Sequence, residues 1–162
     1  MPYFGARFEG DKAFVDALRK SAGRLGETVI QAVVGTTAVR IQEIMRRNLE
    51  AMIYSQPPAA SGYVRTRTLF RSTHASPPDM DHSGDEARAH SGEDLATSAA
   101  QATGKASNGK IGSDIGSWIS YADFVHDGVR QPEPRPFVDA AEDEANDIIE
   151  EEMTNFAARL KV

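Results

Sequence analysis

The chain has 162 residues, a net charge of −6 and no cysteine. Its length suffices for one domain, taken as residues 1–162, with a sizeable core, while the missing cysteines exclude disulfides and thiolate metal sites. No apolar run approaches the roughly 20 residues of a membrane-spanning helix, and the acidic balance opposes a grip on DNA phosphates, which needs clustered cations.

The opening MPYFGARFEGDK has no basic start followed by an apolar core, so a secretory leader is not expected. Asp11 ahead of Phe14, Val15 and Leu18 reads as the N-cap of a short helix ending near Gly23. From about Glu27 to Tyr54, Ile30, Val34, Ile41, Met45 and Leu49 keep a helical rhythm, with Arg40, Glu43, Arg46, Arg47 and Glu50 on the other side. Gly35, Thr36 and Thr37 weaken its first half and suggest a kink there. Residues 1–56 are therefore expected to hold N-terminal helices, stopped by Gln56-Pro57-Pro58.

Residues 63–73 are expected to carry the first strand. In a strand, Arg65, Arg67 and Arg71 share one face, a basic stripe for an acidic neighbour, for solvent or for DNA. Residues 74–110 hold almost no large apolar side chain, so they read as a flexible arm or insertion, with a nascent helix around Glu93 to Ala102. Such a segment is expected to order only against neighbouring subunits.

Within that arm His74, His82 and His90 recur every eight residues among Asp79, Asp81, Asp85 and Glu86. The pattern invites a metal reading, but metal sites need rigidly held ligands with supporting partners, and a Ser/Gly/Asp-rich tract supplies no frame. The run from Asp79 to Asp85 has the oxygen spacing of a calcium loop without its closing glutamate. No metal ligand, catalytic residue or cofactor site is assigned.

Residues 111–128 read as a strand and a short helical turn. Ile111, Ser113, Ile115 and Ser117 alternate with Gly112, Asp114 and Gly116, and the glycines suggest an edge or bulged strand pairing antiparallel with Leu69 to Thr73. Trp118 and Ile119 finish it. Tyr121, Ala122, Phe124 and Val125 then share one side of a single turn stopped by Gly128. His126 and Asp127, as neighbours on that turn, point about 100° apart and are not expected to bond; His126 reads as a turn or interface residue. Pro132 and Pro134 stiffen the connection, and Pro136 opens the C-terminal helix, 136–162. Trp118, Tyr121, Phe124, Val125, Gly128, Pro136 and Phe137 form the expected structural corner.

Charge divides along the chain. Residues 1–73 carry eleven Lys/Arg against six Asp/Glu and residues 74–162 seven against eighteen, giving halves of +5 and −11. A solvated face explains this blandly; a basic face of one copy meeting an acidic face of the next explains it functionally. On the second reading Glu142, Asp143, Asp147 and Glu150 of the C-terminal helix, with His126 and the three arginines, belong to a subunit interface.

Two segments together resemble a known family. Tyr121-Ala122-Asp123-Phe124-Val125-His126-Asp127-Gly128, followed after a proline-containing loop by Pro136-Phe137-Val138-Asp139-Ala140-Ala141, is similar to the YA-x-(F/Y)-V-x-x-G and PF-x-x-A-A elements of the small neck proteins of long-tailed bacteriophages. Arg65-Thr66-Arg67-Thr68-Leu69-Phe70-Arg71-Ser72 resembles the family's R-T-G-x-L-x-x-S segment, with Arg67 in place of glycine.

The resemblance implies an α+β fold, with a small antiparallel sheet packed against a long N-terminal and a long C-terminal helix and a long insertion between strands. It implies a structural virion protein or minor tail component, not an enzyme, made in the bacterial cytoplasm and placed at the head-tail joint. There it would form a six-fold homo-oligomeric ring between head-closure or stopper proteins and tail-terminator or tail-tube proteins, passing DNA without specific binding and with no membrane. The competing classes are a metal-dependent hydrolase using the His/Asp-rich arm and a monomeric protein-binding adaptor.

Overall fold

A computed structural model describes the backbone of residues 4–9, 12–56, 66–127 and 135–160, and the side chains of 26–56, 66–127, 135–156 and 158. Arg65, Gly128, Pro132 and Pro134 lie outside the described residues. The elements, in order, are β1 (Phe4–Glu9), α1 (Lys12–Leu49), α2 (Thr68–Ser72), β2 (His74–Ser76), α3 (Asp85–His90), β3 (Gly104–Lys105), β4 (Ile111–Ser117), α4 (Ala122–Asp127) and α5 (Asp139–Leu160). The class is α+β: a small antiparallel sheet with one long helix from each end of the chain.

The two expected N-terminal helices are one. Gly23 and Gly26 lie within α1, because an isolated glycine costs only about 1 kcal/mol relative to alanine and does not by itself end a helix that packing holds. Ile30, Val34, Ala38, Ile41, Met45 and Leu49 are buried along its inner stripe. The helix ends in a widened turn, Glu50–Tyr54, closed by Ser55 N–H donating to Glu50 O at 2.8 Å.

The sheet is built around β4. Strand β1 pairs with it from Phe4↔Ser117 to Glu9↔Gly112; β2 pairs from His74↔Gly116 to Ser76↔Asp114, and β3 at Gly104↔Gly112 and Lys105↔Ile111. This corrects the edge-strand expectation: β4 is central and every one of its residues is buried. Ile111 joins a cluster with Ile30, Val34 and Phe156, and Ile115 joins the main core with Ala38, Ile41 and Met45. The alternation therefore sends Ile111 and Ile115 toward α1, and Gly112, Asp114 and Gly116 to the opposite face.

Two further expectations fail locally. Residues 68–72 are helical, so the expected strand over 63–73 is not found in its described part, 66–73; the first paired strand residue is His74. Arg67 has φ 61° and ψ 13°, a left-handed conformation that forces the turn into α2. Leu69 enters the core, and Ser72 Oγ lies 2.7 Å from Ser117 Oγ, fastening α2 to β4.

The segment 74–110 is ordered against its own chain, correcting the flexible arm and its dependence on neighbouring subunits. It buries small residues, Ala89, Ala102 and Ala106, with Leu95, and saturates its polar groups. Gln42 Oε1 accepts from Ala75 N–H at 2.9 Å and Thr97 N–H at 3.1 Å. Leu95 N–H donates to Arg71 O at 2.9 Å, Arg71 Nε to Ala89 O at 2.9 Å, and Arg46 pairs with Asp94. Hydrogen bonding to α1 and α2 replaces the large apolar residues the tract lacks. No regular helix forms around Glu93 to Ala102.

Helix α5 runs antiparallel along α1. Arg40 meets Glu152 at 2.5 Å and Glu151 at 2.9 Å, while Arg47 meets Glu144 at 2.6 Å, and Phe156 packs beyond on Ile30 and Val34. At the corner, Arg135 N–H donates to His126 O at 2.9 Å and the Arg135 guanidinium bonds Met52 O. Pro136 O accepts Ala140 N–H at 3.0 Å, and Phe137 is fully buried. Phe124 departs from the expectation. It is exposed, because Ala122 and His126 turn inward and place the residue midway between them on the far side of α4. Tyr121 and Val125 pack partly against the core.

Candidate metal centre

The sheet face opposite α1 carries a polar, aromatic cluster. Strand alternation puts His74 and Ser76 of β2 on that face, on either side of Ala75, which points into the core. The residue opposite His74 is Gly116, which adds no side chain there. Trp118 follows two residues later in the same phase.

The chain then returns through a tight turn. Asp79 takes φ 63°, and its carboxylate accepts Ser107 N–H at 2.9 Å. Asp81 accepts Ser83 N–H at 3.0 Å and Ser83 Oγ–H at 3.1 Å, bonds that hold its carboxyl below the usual range. Asp85 N–H donates to His82 O at 3.1 Å, opening α3 with the Asp85 carboxylate at the His82 Nδ1 edge.

His74, His82 and Asp85 come together, each offering a ligand atom within 4.8 Å of the others. His82 Nδ1 lies 2.7 Å, and His74 Nε2 3.5 Å, from the same oxygen, Asp85 Oδ2. The outer nitrogens are also engaged: His74 Nδ1 lies 2.8 Å from Ser72 O, and His82 Nε2 3.2 Å from Ser76 Oγ. The Trp118 ring stacks on His82 at 3.6 Å between centroids and 8° between planes, and sits 4.8 Å from His74. Burial pushes the His74 imidazolium below its ordinary range, against the opposing pull of Ser72 O and Asp85.

Ser76, His82 and Asp85 also have the bonding order of a hydrolytic triad. Ser76 is only 1 % exposed, and the side chains of His74, His82 and Asp85 are 5 %, 9 % and 4 % exposed, so no substrate reaches the hydroxyl. The site can hold something small; it cannot process something large.

The remaining histidines and acids go elsewhere. His90 is half exposed, 3.8 Å from Glu86, and outside the cluster. Glu86 accepts Ser120 N–H at 2.9 Å and Ser120 Oγ–H at 3.0 Å. With Asp79 tied to Ser107, Asp81 to Ser83 and Asp85 to His82, the calcium-like run does not converge. His126 corrects another expectation: its Nδ1 does bond the neighbouring Asp127 Oδ1 at 2.9 Å, at the last residue of α4, and Nε2 lies 3.2 Å from Asp139.

The expected interface residues divide. Arg67 pairs with Glu50 and stacks over Tyr54 and Phe70, and Arg71 bonds Ala89 O, so neither forms an outward strand stripe. Glu142, Asp143, Asp147 and Glu150 are exposed together on α5. Ser72, Ser76 and Gln42 were missed as organising residues; the recurrent histidines were the available signal, and the frame that makes them a site comes from β4 and Trp118, outside their own tract.

Among the described residues no helix is long and apolar enough to cross a membrane. The chain matches no family model, no curated protein and no solved structure.

Proposed function

We propose that this chain is a structural virion protein of a long-tailed phage or phage-like particle, forming an oligomeric ring at the head-tail joint through which DNA passes. The observation that carries the reading is Arg67. The resembled segment places glycine there, and Arg67 adopts φ 61°, the backbone that favours glycine. The leucine and serine of the same segment, Leu69 and Ser72, are the residues that fasten α2 to the core and to β4.

The charge layout supports a wall rather than a grip. Arg40 and Arg47 of α1 are matched by Glu151, Glu152 and Glu144 within the chain, so the exposed acids of α5 are a surplus. Repeated around an axis, Glu142, Asp143, Asp147 and Glu150 would repel phosphates and keep DNA mobile, or meet a basic patch on the next copy in a heterologous interface. The burial of the histidine cluster counts against the hydrolase alternative.

Reversing the four α5 acids to lysine tests this. Sedimentation of the purified chain is expected to show assembly that the quadruple variant loses while helical circular dichroism is kept. Identical sedimentation of both chains as monomers would favour the adaptor reading.

A further inference from the structure

The structure assigns His74, His82 and Asp85 as a binding site for one divalent cation of the zinc class, which pins the insertion to the sheet. This does not depend on the ring.

The argument starts from the hydrogen atoms. Ser72 O, 2.8 Å from His74 Nδ1, is an acceptor only, so Nδ1 carries the ring hydrogen. Nε2 then presents a lone pair to Asp85 Oδ2 at 3.5 Å, two acceptors face to face in a buried setting. A cation between them turns that opposition into two bonds. His82 completes the set through Nδ1, 2.7 Å from the same oxygen. When Nδ1 gives its lone pair to a cation the ring hydrogen moves to Nε2, where Ser76 Oγ, at 3.2 Å, accepts it.

Both histidines therefore have the outer bond that metal-binding imidazoles use to fix their tautomer. Zinc-class bonds of about 2.0–2.2 Å suit two imidazoles and a carboxylate, and ligand atoms within 4.8 Å of one another close on a cation by small side-chain shifts. The three ligands come from β2, the connection after it and the first residue of α3. One bound ion thus cross-links the start of the insertion. Three protein ligands leave the fourth position of a tetrahedral ion to a water, and with the side chains buried under Trp118 no substrate reaches it, so the centre is structural rather than catalytic.

Trp118 is the chain's single tryptophan and makes the site readable. Titrating the full, tag-free chain with Co²⁺ is expected to quench Trp118 fluorescence and raise visible ligand-field absorption, both saturating at one equivalent and both reversed by Zn²⁺. His82→Gln and Asp85→Asn should abolish the two signals, and Ser76→Ala should weaken binding by about 10-fold or more. His90→Gln should change nothing. Absence of one-equivalent quenching in the unaltered chain overturns the assignment without any variant having to fold. Equal binding by the His82→Gln chain, or loss of binding with His90→Gln, overturns it as well.

Discussion

Gly35 of α1 and Ala99 of the insertion meet so closely that a Cβ on Gly35 would stand 2.1 Å from the Ala99 carbonyl oxygen. The glycine that weakens α1 as a helix is what lets the insertion lie against it. Gly35→Ala is therefore expected to lower stability by about 1–3 kcal/mol, despite alanine's better helix propensity, because a backbone oxygen has to move. Gly84, with φ −94° and open space around its Cβ position, is the control, and Gly84→Ala should be close to neutral in urea unfolding. Equal midpoints for the two variants would contradict the packing described.

Arg67 bears a backbone cost of about 1–2 kcal/mol for a left-handed residue with a side chain, offset by its contacts with Glu50, Tyr54 and Phe70. Arg67→Ala loses the contacts and keeps the cost. Arg67→Gly loses both. The glycine variant is expected to be more stable than the alanine variant by about 1 kcal/mol in chemical denaturation; alanine at or above glycine would show that the turn is not held left-handed.

Gln42 is buried, and with the Thr97 hydroxyl donating to Ala75 O at 2.7 Å, its Oε1 accepts two hydrogens, from Ala75 N and Thr97 N. Gln42→Leu strands those donors at about 1–3 kcal/mol for each group left unsatisfied. The expected result is lower stability, with amide exchange accelerated first at Ala75 and Thr97. Unchanged exchange at both amides would contradict the role given to this side chain.

The Arg46 hydrogen bonds hold the Asp94 carboxyl below its ordinary value of 3.8. A depressed carboxyl stabilises the fold above that ordinary value, and the contribution disappears as pH falls through the lowered folded value. Asp94→Asn should accordingly be less stable than the unaltered chain above about pH 5, with the gap narrowing below about pH 4. A gap that widens with acid would have the wrong sign for this pair.

The long helices and the α+β class were legible because Ile30, Val34, Ile41, Met45 and Leu49 repeat at helical spacing, and because Ala141, Ala145, Ile148 and Phe156 do so on α5. Strand β1 had its own signal, Phe4, Ala6 and Phe8 alternating with Arg7 and Glu9, overshadowed by the helix start at Asp11. Composition misled over 74–110. It counts large apolar residues, whereas that segment is held by Gln42, Arg46 and Arg71 reaching in from distant elements. The histidine pattern was visible for the same reason that its meaning was not. His74 lies in a strand, His82 in a turn and Asp85 at a helix start, and only the sheet, with Trp118 above it, brings them together. Phe124 was misplaced by one step of helical phase, since α4 turns Ala122 and His126 inward.

Imaging the purified chain by negative stain over rising concentration tests the central claim most directly. Closed rings of a single copy number, six expected from the resemblance, with the α5 acids toward the channel or the subunit contact, are the predicted result. Isolated single copies at every concentration, with native mass spectrometry showing only the monomer mass, would contradict it.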